Sequence, residues 1–225
     1  MGSYIARMLT ALFLGIGFAS GPGWAATVEE GVAATFAKFK QAMAARDGVI
    51  ASRYIDDRTA AFYEKIHRAA LTMPQDQLLR QSRFFQLEVF STRLLVGKSE
   101  IENIDGRELY AKLAAAGATG VPDSLDLVKI RPTRPGASAL VYVSLAGRAR
   151  GVGLRVFTEG GVWKIDLTRL IGAATKKLQK QIPVAPGMSR NAAQLVIERD
   201  LFPLIARQSG KPVSEKLWTP LASAN

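Results

Sequence analysis

The chain has 225 residues, 48% hydrophobic and 22% charged, with a formal net charge of +11, one histidine and no cysteine. That composition belongs to a folded globular chain long enough for one domain with a sizeable core. Without cysteine, disulfides, thiolate metal sites and cysteine nucleophiles are excluded, and packing alone must hold the fold.

The N-terminus reads differently from the rest. "MGSYIARMLTALFLGIGFASGPGWAA" has a basic start at Arg7, an apolar run over 8–18 and a break at Gly21-Pro22-Gly23. This is the layout of a secretory signal, and the small residues Gly23 and Ala25 favour cleavage after Ala25. An uncleaved anchor is the alternative, although the run is short for a bilayer span. Removing 1–25 takes away Arg7 and no acidic residue, so +11 becomes +10. The expectation is an exported protein, periplasmic or secreted. Its cations form only small local groups, Arg148/Arg150/Arg155 and Lys176/Lys177/Lys180, with no interleaved aromatics. Export and the missing aromatics both argue against nucleic acid as a partner.

Helices dominate the first half. Val32, Phe36, Phe39 and Met43 share one face of a helix over 28–46, which Asp47-Gly48 ends. A short helical piece follows over 49–54, and Asp56-Asp57 stands ready to cap a third helix over 58–71 that presents Phe62, Ile66, Ala69 and Ala70. Pro74 restarts the chain, and 74–96 reads as one long helix or two pieces with Leu78, Phe85, Val89 and Leu95 to one side. A short helix over 105–117 closes at Gly117.

After Pro122 the pattern alternates. Strands are predicted over 124–130, 137–145, 150–158 and 161–167, separated by Arg134-Pro135-Gly136, Ala146-Gly147 and Glu159-Gly160-Gly161. Tight hairpins imply an antiparallel sheet, with Trp163, Ile165 and Leu167 on its core face. Helices over 168–182 and 189–210 follow, the second capped by Ser189, stopped by Gly210 and kinked or divided at Pro203. The whole is an α+β arrangement, N-terminal helices packed on a curved antiparallel sheet plus a C-terminal helical extension. Residues 26–182 make the domain and 183–225 the extension.

The segments "DDRTAAFYEKIHRAAL", "FFQLEVFSTRLLV", "IDGRELYAKLAAAG" and "FTEGGVWKIDLTRL", in this order, resemble an uncharacterised bacterial exported group of NTF2-like proteins. The tail "SGKPVSEKLWTPL" resembles the end of the same group, so the likeness spans 30–221. It implies a cone-shaped α+β domain with a central cavity. That fold hosts isomerase-like and dehydratase-like enzymes, lipid-associated envelope proteins and non-enzymatic adaptors, so it does not select an activity.

Cavity or core positions are expected at Phe36, Phe39, Phe62, Ile66, Phe85, Trp163 and Ile165. Acid–base chemistry in a cone would draw on Asp56, Asp57, Tyr63, His67 or Asp166, with Tyr54 and Tyr142 as further candidates. Asp56 or Asp57 is the better helix cap, and Asp166 belongs to the final hairpin. Glu64 and His67 form half of a di-iron motif, but no second histidine completes it. The pair therefore reads as helix-face pairing, and no metal or cofactor is expected. The function expected is a non-catalytic binding or scaffold protein of the bacterial envelope, engaging an envelope protein. The alternatives are a carrier of an anionic lipid or apolar small molecule and, third, an acid–base isomerase or dehydratase. The segment 189–221, with Leu195, Phe202, Leu204, Ile205 and Trp218, is expected to dock in cis.

Overall fold

The structure, a computed structural model, describes residues 27–119, 125–134, 137–145, 151–185 and 187–223. The expected signal sequence, the turn residues 135–136 and 146–147, and Arg148 and Arg150 lie outside the described residues.

Helix α1 (Val28–Ala44) begins in a capping box: the Thr27 side chain accepts from Glu30 N while the Glu30 carboxylate accepts from Thr27 N. Its buried face is Val32, Phe36, Phe39 and Met43, as the spacing predicts. Short α2 (Gly48–Ser52) leads to α3 (Asp57–Thr72). Ile66, Ala69 and Ala70 of α3 are buried as predicted, whereas Phe62 is only half-buried and its neighbour Tyr63 takes the inward position in its turn. The segment 74–96 forms two pieces, α4 (Gln75–Leu79) and α5 (Arg83–Leu95), because Ser82 caps a new helix by accepting from Phe85 N. A one-turn helix not anticipated from the sequence, α6 (Lys98–Ile101), precedes α7 (Gly106–Ala115), whose Asp105–Glu108 capping box repeats that of α1.

Helix α5 is buried around nearly its whole circumference, from Arg83 to Arg93, although Phe85 is only half-buried. Its polar groups are therefore obliged to find partners inside. Gln86 donates to the Leu78 carbonyl at 2.8 Å and accepts from Arg83 at 2.7 Å, and Arg83 also donates to the Ile182 carbonyl at 3.2 Å.

Strands β1 (Leu125–Arg134), β2 (Ser138–Leu145), β3 (Val152–Glu159) and β4 (Val162–Asp166) form one antiparallel sheet in chain order. The β3–β4 hairpin turns on Gly160 and Gly161, at φ 57° and 78°, values that glycine adopts without steric cost. Directly paired residues share a face. One face carries Ile130–Val141–Leu154 and Ala139–Val156–Ile165 toward the helices. Trp163 lies on that face at the sheet's end, where it packs against Gly31 of α1 and is half-buried, not core.

The two sheet edges are treated differently. Ile55 pairs with Ile165 in a parallel bridge, Ile165 N donating to Tyr54 O at 2.7 Å and Asp56 N to Ile165 O at 3.1 Å, which covers β4. Edge strand β1 is mostly exposed and is protected by cations, Pro132 and two register shifts.

Helix α8 (Thr168–Gln181) leaves the sheet and packs on α5 and β3. The next helical stretch is divided at Leu201 into α9 (Arg190–Asp200) and α10 (Phe202–Ser209), with Pro203 in the first turn of α10 and left-handed Gly210 ending it. Leu195 is 65% exposed, so it is not part of the docking face. Phe202, Ile205, Leu217 and Trp218 are buried, which places the extension against the domain in cis.

Candidate functional site

The carboxylates singled out from the sequence are engaged at the junction of α3, β4 and α8. Asp56 is the cap of α3: its Oδ1 accepts from Thr59 N at 2.9 Å and from Thr59 Oγ1 at 2.7 Å. Burial pushes its pKa up, against the opposing pull of the Thr59 hydrogen bonds. Thr59 Oγ1 accepts in turn from Leu167 N at 2.9 Å. Asp166 is buried and accepts from Thr168 N at 2.9 Å and from the Thr168 hydroxyl at the start of α8, with Arg58 at 3.4 Å from its other oxygen. Asp57 is exposed and pairs with Arg107 at 2.9 Å. Tyr54 is half-buried, and its backbone carbonyl serves the β4 edge.

His67 belongs to a different junction. Its Nε2 lies 2.6 Å from the Ile101 carbonyl, which can only accept, so Nε2 carries the proton. Its Nδ1 then faces Glu64 at 3.8 Å, and the other Glu64 oxygen accepts from Gly106 N at 3.0 Å. The pair thus ties α3 to α6 and to the start of α7. Among the described residues no group of three or more histidine, aspartate or glutamate side chains is placed to hold a metal ion.

Tyr63 points into the core, where it meets two residues that sequence periodicity did not single out. Its ring packs edge-on against Tyr110 at 5.1 Å between centroids, and Glu88 of α5 lies beside both. All three side chains are fully buried. Burial first, and then the nearby Glu88 carboxylate, push both phenols well above their ordinary pKa, so both keep their protons. The Tyr110 hydroxyl lies 3.4 Å from the Met43 sulfur. A carboxylate and two phenols therefore converge, within a closely packed interior.

The opposite face of the sheet is open. Its paired rows are Lys129–Tyr142–Gly153, Arg131–Leu140–Arg155–Asp166 and Arg134–Ser138–Phe157–Lys164. Lys129, Arg131, Arg134 and Arg155 are exposed and, among the described residues, none makes an ion pair. Among the described residues, the carboxylates on this face or at its margin are Asp126, held by Lys40 at 2.6 Å, Asp166, held by Arg58, and Glu159 beside the hairpin turn. Lys164 donates to the Arg53 carbonyl; burial, and then the neighbouring Arg107, lower its pKa. Phe157 is covered by the Arg58 guanidinium, 5.1 Å from the ring centroid.

The register shifts of β1 help to build this face. The pairing passes from Leu127–Val143 to Lys129–Tyr142, so Val128 is an extra residue, and a second shift lies between Pro132 and Arg134. Such bulges re-aim neighbouring side chains. Beside the first lies a depression of about 290 Å³ lined by Val128, Lys129, Arg131, Tyr142 and Gly151.

Alternation along β1 marks a strand, but the assembly of cations from three strands depends on pairing register, which no local pattern carries. Glu88 was hidden for another reason: it sits among Phe84, Leu87, Val89 and Phe90 in a helix buried on most sides, where a one-face pattern is erased. No family model, curated protein or solved structure matches the chain.

Proposed function

We propose that this chain is an exported, non-catalytic binding protein of the bacterial envelope, an NTF2-like domain with a C-terminal helical extension, which takes a negatively charged partner on the open face of its sheet. The observation that carries this reading is the set of four exposed cations, Lys129, Arg131, Arg134 and Arg155, that make no ion pair among the described residues and lie on one face of three paired strands. Unpaired like charges held together by a rigid scaffold raise the local potential and attract an anionic partner. The α+β architecture, with helices preceding an antiparallel sheet, supports the NTF2-like assignment. Burial of Phe36, Phe39, Tyr63, Ile66 and Ile165 between the layers favours a binding surface over a cargo cavity inside the cone.

A matched pair of charge reversals tests the reading. Polyphosphate binding is followed by fluorescence anisotropy at physiological salt for Arg131→Glu/Arg155→Glu and for Lys176→Glu/Lys180→Glu on α8. Both variants change net charge equally. Affinity should fall by about tenfold or more in the sheet variant alone. Equal losses in the two would leave only net charge at work and overturn the proposal.

A second reading, acid–base catalysis, has one observation in its favour: Tyr63, Glu88 and Tyr110 converge in the core. It requires the interior to open to a substrate. Glu88→Gln should leave polyphosphate binding unchanged if the surface carries the function.

A further inference from the structure

A second concave site lies where the C-terminal extension meets the domain, remote in sequence from the sheet face. A pocket of about 420 Å³ opens between α5, α8 and α10. Phe84, Leu87, Leu178 and Leu204 supply its apolar lining, and the charged residues among its lining are Lys177 and Arg207. Both cations are exposed, and neither makes an ion pair among the described residues.

We propose that this pocket binds an amphiphilic anion, a medium-chain fatty carboxylate. The chemistry of the lining selects both halves of such a ligand. Apolar side chains from three helices offer a tail a place out of water, while two uncompensated cations at the same opening favour an anionic head. A purely apolar ligand would leave Lys177 and Arg207 with nothing to neutralise, and no carboxylate lines the pocket to attract a cationic head. Gln181 and Gln208 add amide donors for the head-group oxygens. At about 30 Å³ per water-sized group, the volume corresponds to roughly a dozen groups, the size of a chain of medium length with its head.

The site also gives the extension a task. Leu204 and Arg207 come from α10, whereas Phe84 and Leu87 come from α5. A ligand seated there touches both parts of the chain and favours their docked arrangement by mass action.

The test is calorimetric titration of the full chain with hexanoate, octanoate and decanoate below their aggregation concentrations, and with decanol as a neutral control. Affinity should rise about fourfold per added methylene, and decanol should bind at least tenfold more weakly than decanoate. Lys177→Glu/Arg207→Glu, two exposed changes whose folding is checked by circular dichroism, should lose decanoate binding by about tenfold or more. Arg131→Glu/Arg155→Glu should bind decanoate as the parent does, which separates this proposal from the sheet-face reading. Absence of saturable decanoate binding, equal binding of decanol and decanoate, or an unchanged affinity in the Lys177/Arg207 variant would each overturn it.

Discussion

Arg93 donates through Nη1 to the carbonyl of Trp218 at 3.1 Å, joining the buried centre of the domain to a residue 125 positions further along the chain. The same guanidinium donates to the carbonyls of Leu217 at 2.8 Å, Ala70 at 3.1 Å, Ala69 at 3.0 Å and Met73 at 2.6 Å. It thus satisfies carbonyls at the end of α3 and fixes the C-terminal turn over the same spot. Burial lowers its pKa to about 10, which leaves it charged at neutral pH. Trp218 completes the clasp: its ring packs edge-on against Phe90 at 4.8 Å, and its indole N–H donates to Glu198 at 2.7 Å.

Removing this guanidinium strands several buried carbonyls at once. Arg93→Leu should destabilise the protein by about 3 kcal/mol or more, read from urea unfolding followed by tryptophan fluorescence. Lysine at this position offers one point charge in place of a planar fork, so Arg93→Lys should recover only a small part of the loss. A change within about 0.5 kcal/mol would show that the extension is held without this clasp.

The buried phenols give stability a defined alkaline limit. Tyr63 and Tyr110 have folded pKa values raised above 10.0. Above that pH the unfolded chain releases protons that the folded chain retains. Their contribution is therefore fully present below pH 10.0 and lost as pH climbs toward the folded values. Tyr63→Phe and Tyr110→Phe should each flatten the fall of stability above about pH 10, measured by denaturant unfolding across that range. An identical slope in parent and variants would contradict this assignment.

Asp56 has the corresponding behaviour in acid. Its folded pKa is raised above 3.8, chiefly by burial. Its contribution is fully present below that value and is lost as pH rises through the folded pKa. Asparagine keeps a cap acceptor without the charge. The stability of Asp56→Asn relative to the parent should therefore improve from about pH 3 to about pH 6, seen as a growing difference in unfolding midpoint. A difference independent of pH would rule out burial as the dominant influence.

Two glycines allow α7 to approach its neighbours. A Cβ at Gly106 would lie 2.4 Å from Glu64 N and 2.5 Å from Ala60 O, and one at Gly48 would lie 1.7 Å from Ala111 O. Both collisions are with backbone, which cannot rotate away. Gly106→Ala should cost about 2–3 kcal/mol and loosen the Glu64–His67 junction, observable as a lower thermal midpoint. Gly97, whose added Cβ would meet nothing within 4 Å, provides the control.

Much of the architecture could be read locally. The spacing of Val32, Phe36, Phe39 and Met43 gave α1 its buried face, Gly160-Gly161 marked the last hairpin, and Pro203 marked the division between α9 and α10. Prediction failed where several faces are buried together or where the answer depended on distant pairing. Phe62, Phe85 and Trp163 lie at the rim of the core, where helical spacing and strand alternation give the right side of the element but not how far the packing reaches. Tyr63 and Glu88 carry polar atoms yet are more deeply buried, because α3 and α5 meet there. The open sheet face needed a register, two shifts along β1 included, before its cations could be seen as neighbours.

The most direct test of the sheet-face account is residue-level mapping in solution. In an NMR titration of the protein with short-chain polyphosphate, the largest amide shifts should fall on Lys129, Arg131, Tyr142 and Arg155. Residues of α8 and α9 should shift little. Shifts spread evenly over every cationic segment, or concentrated on α8, would contradict a partner site on the sheet.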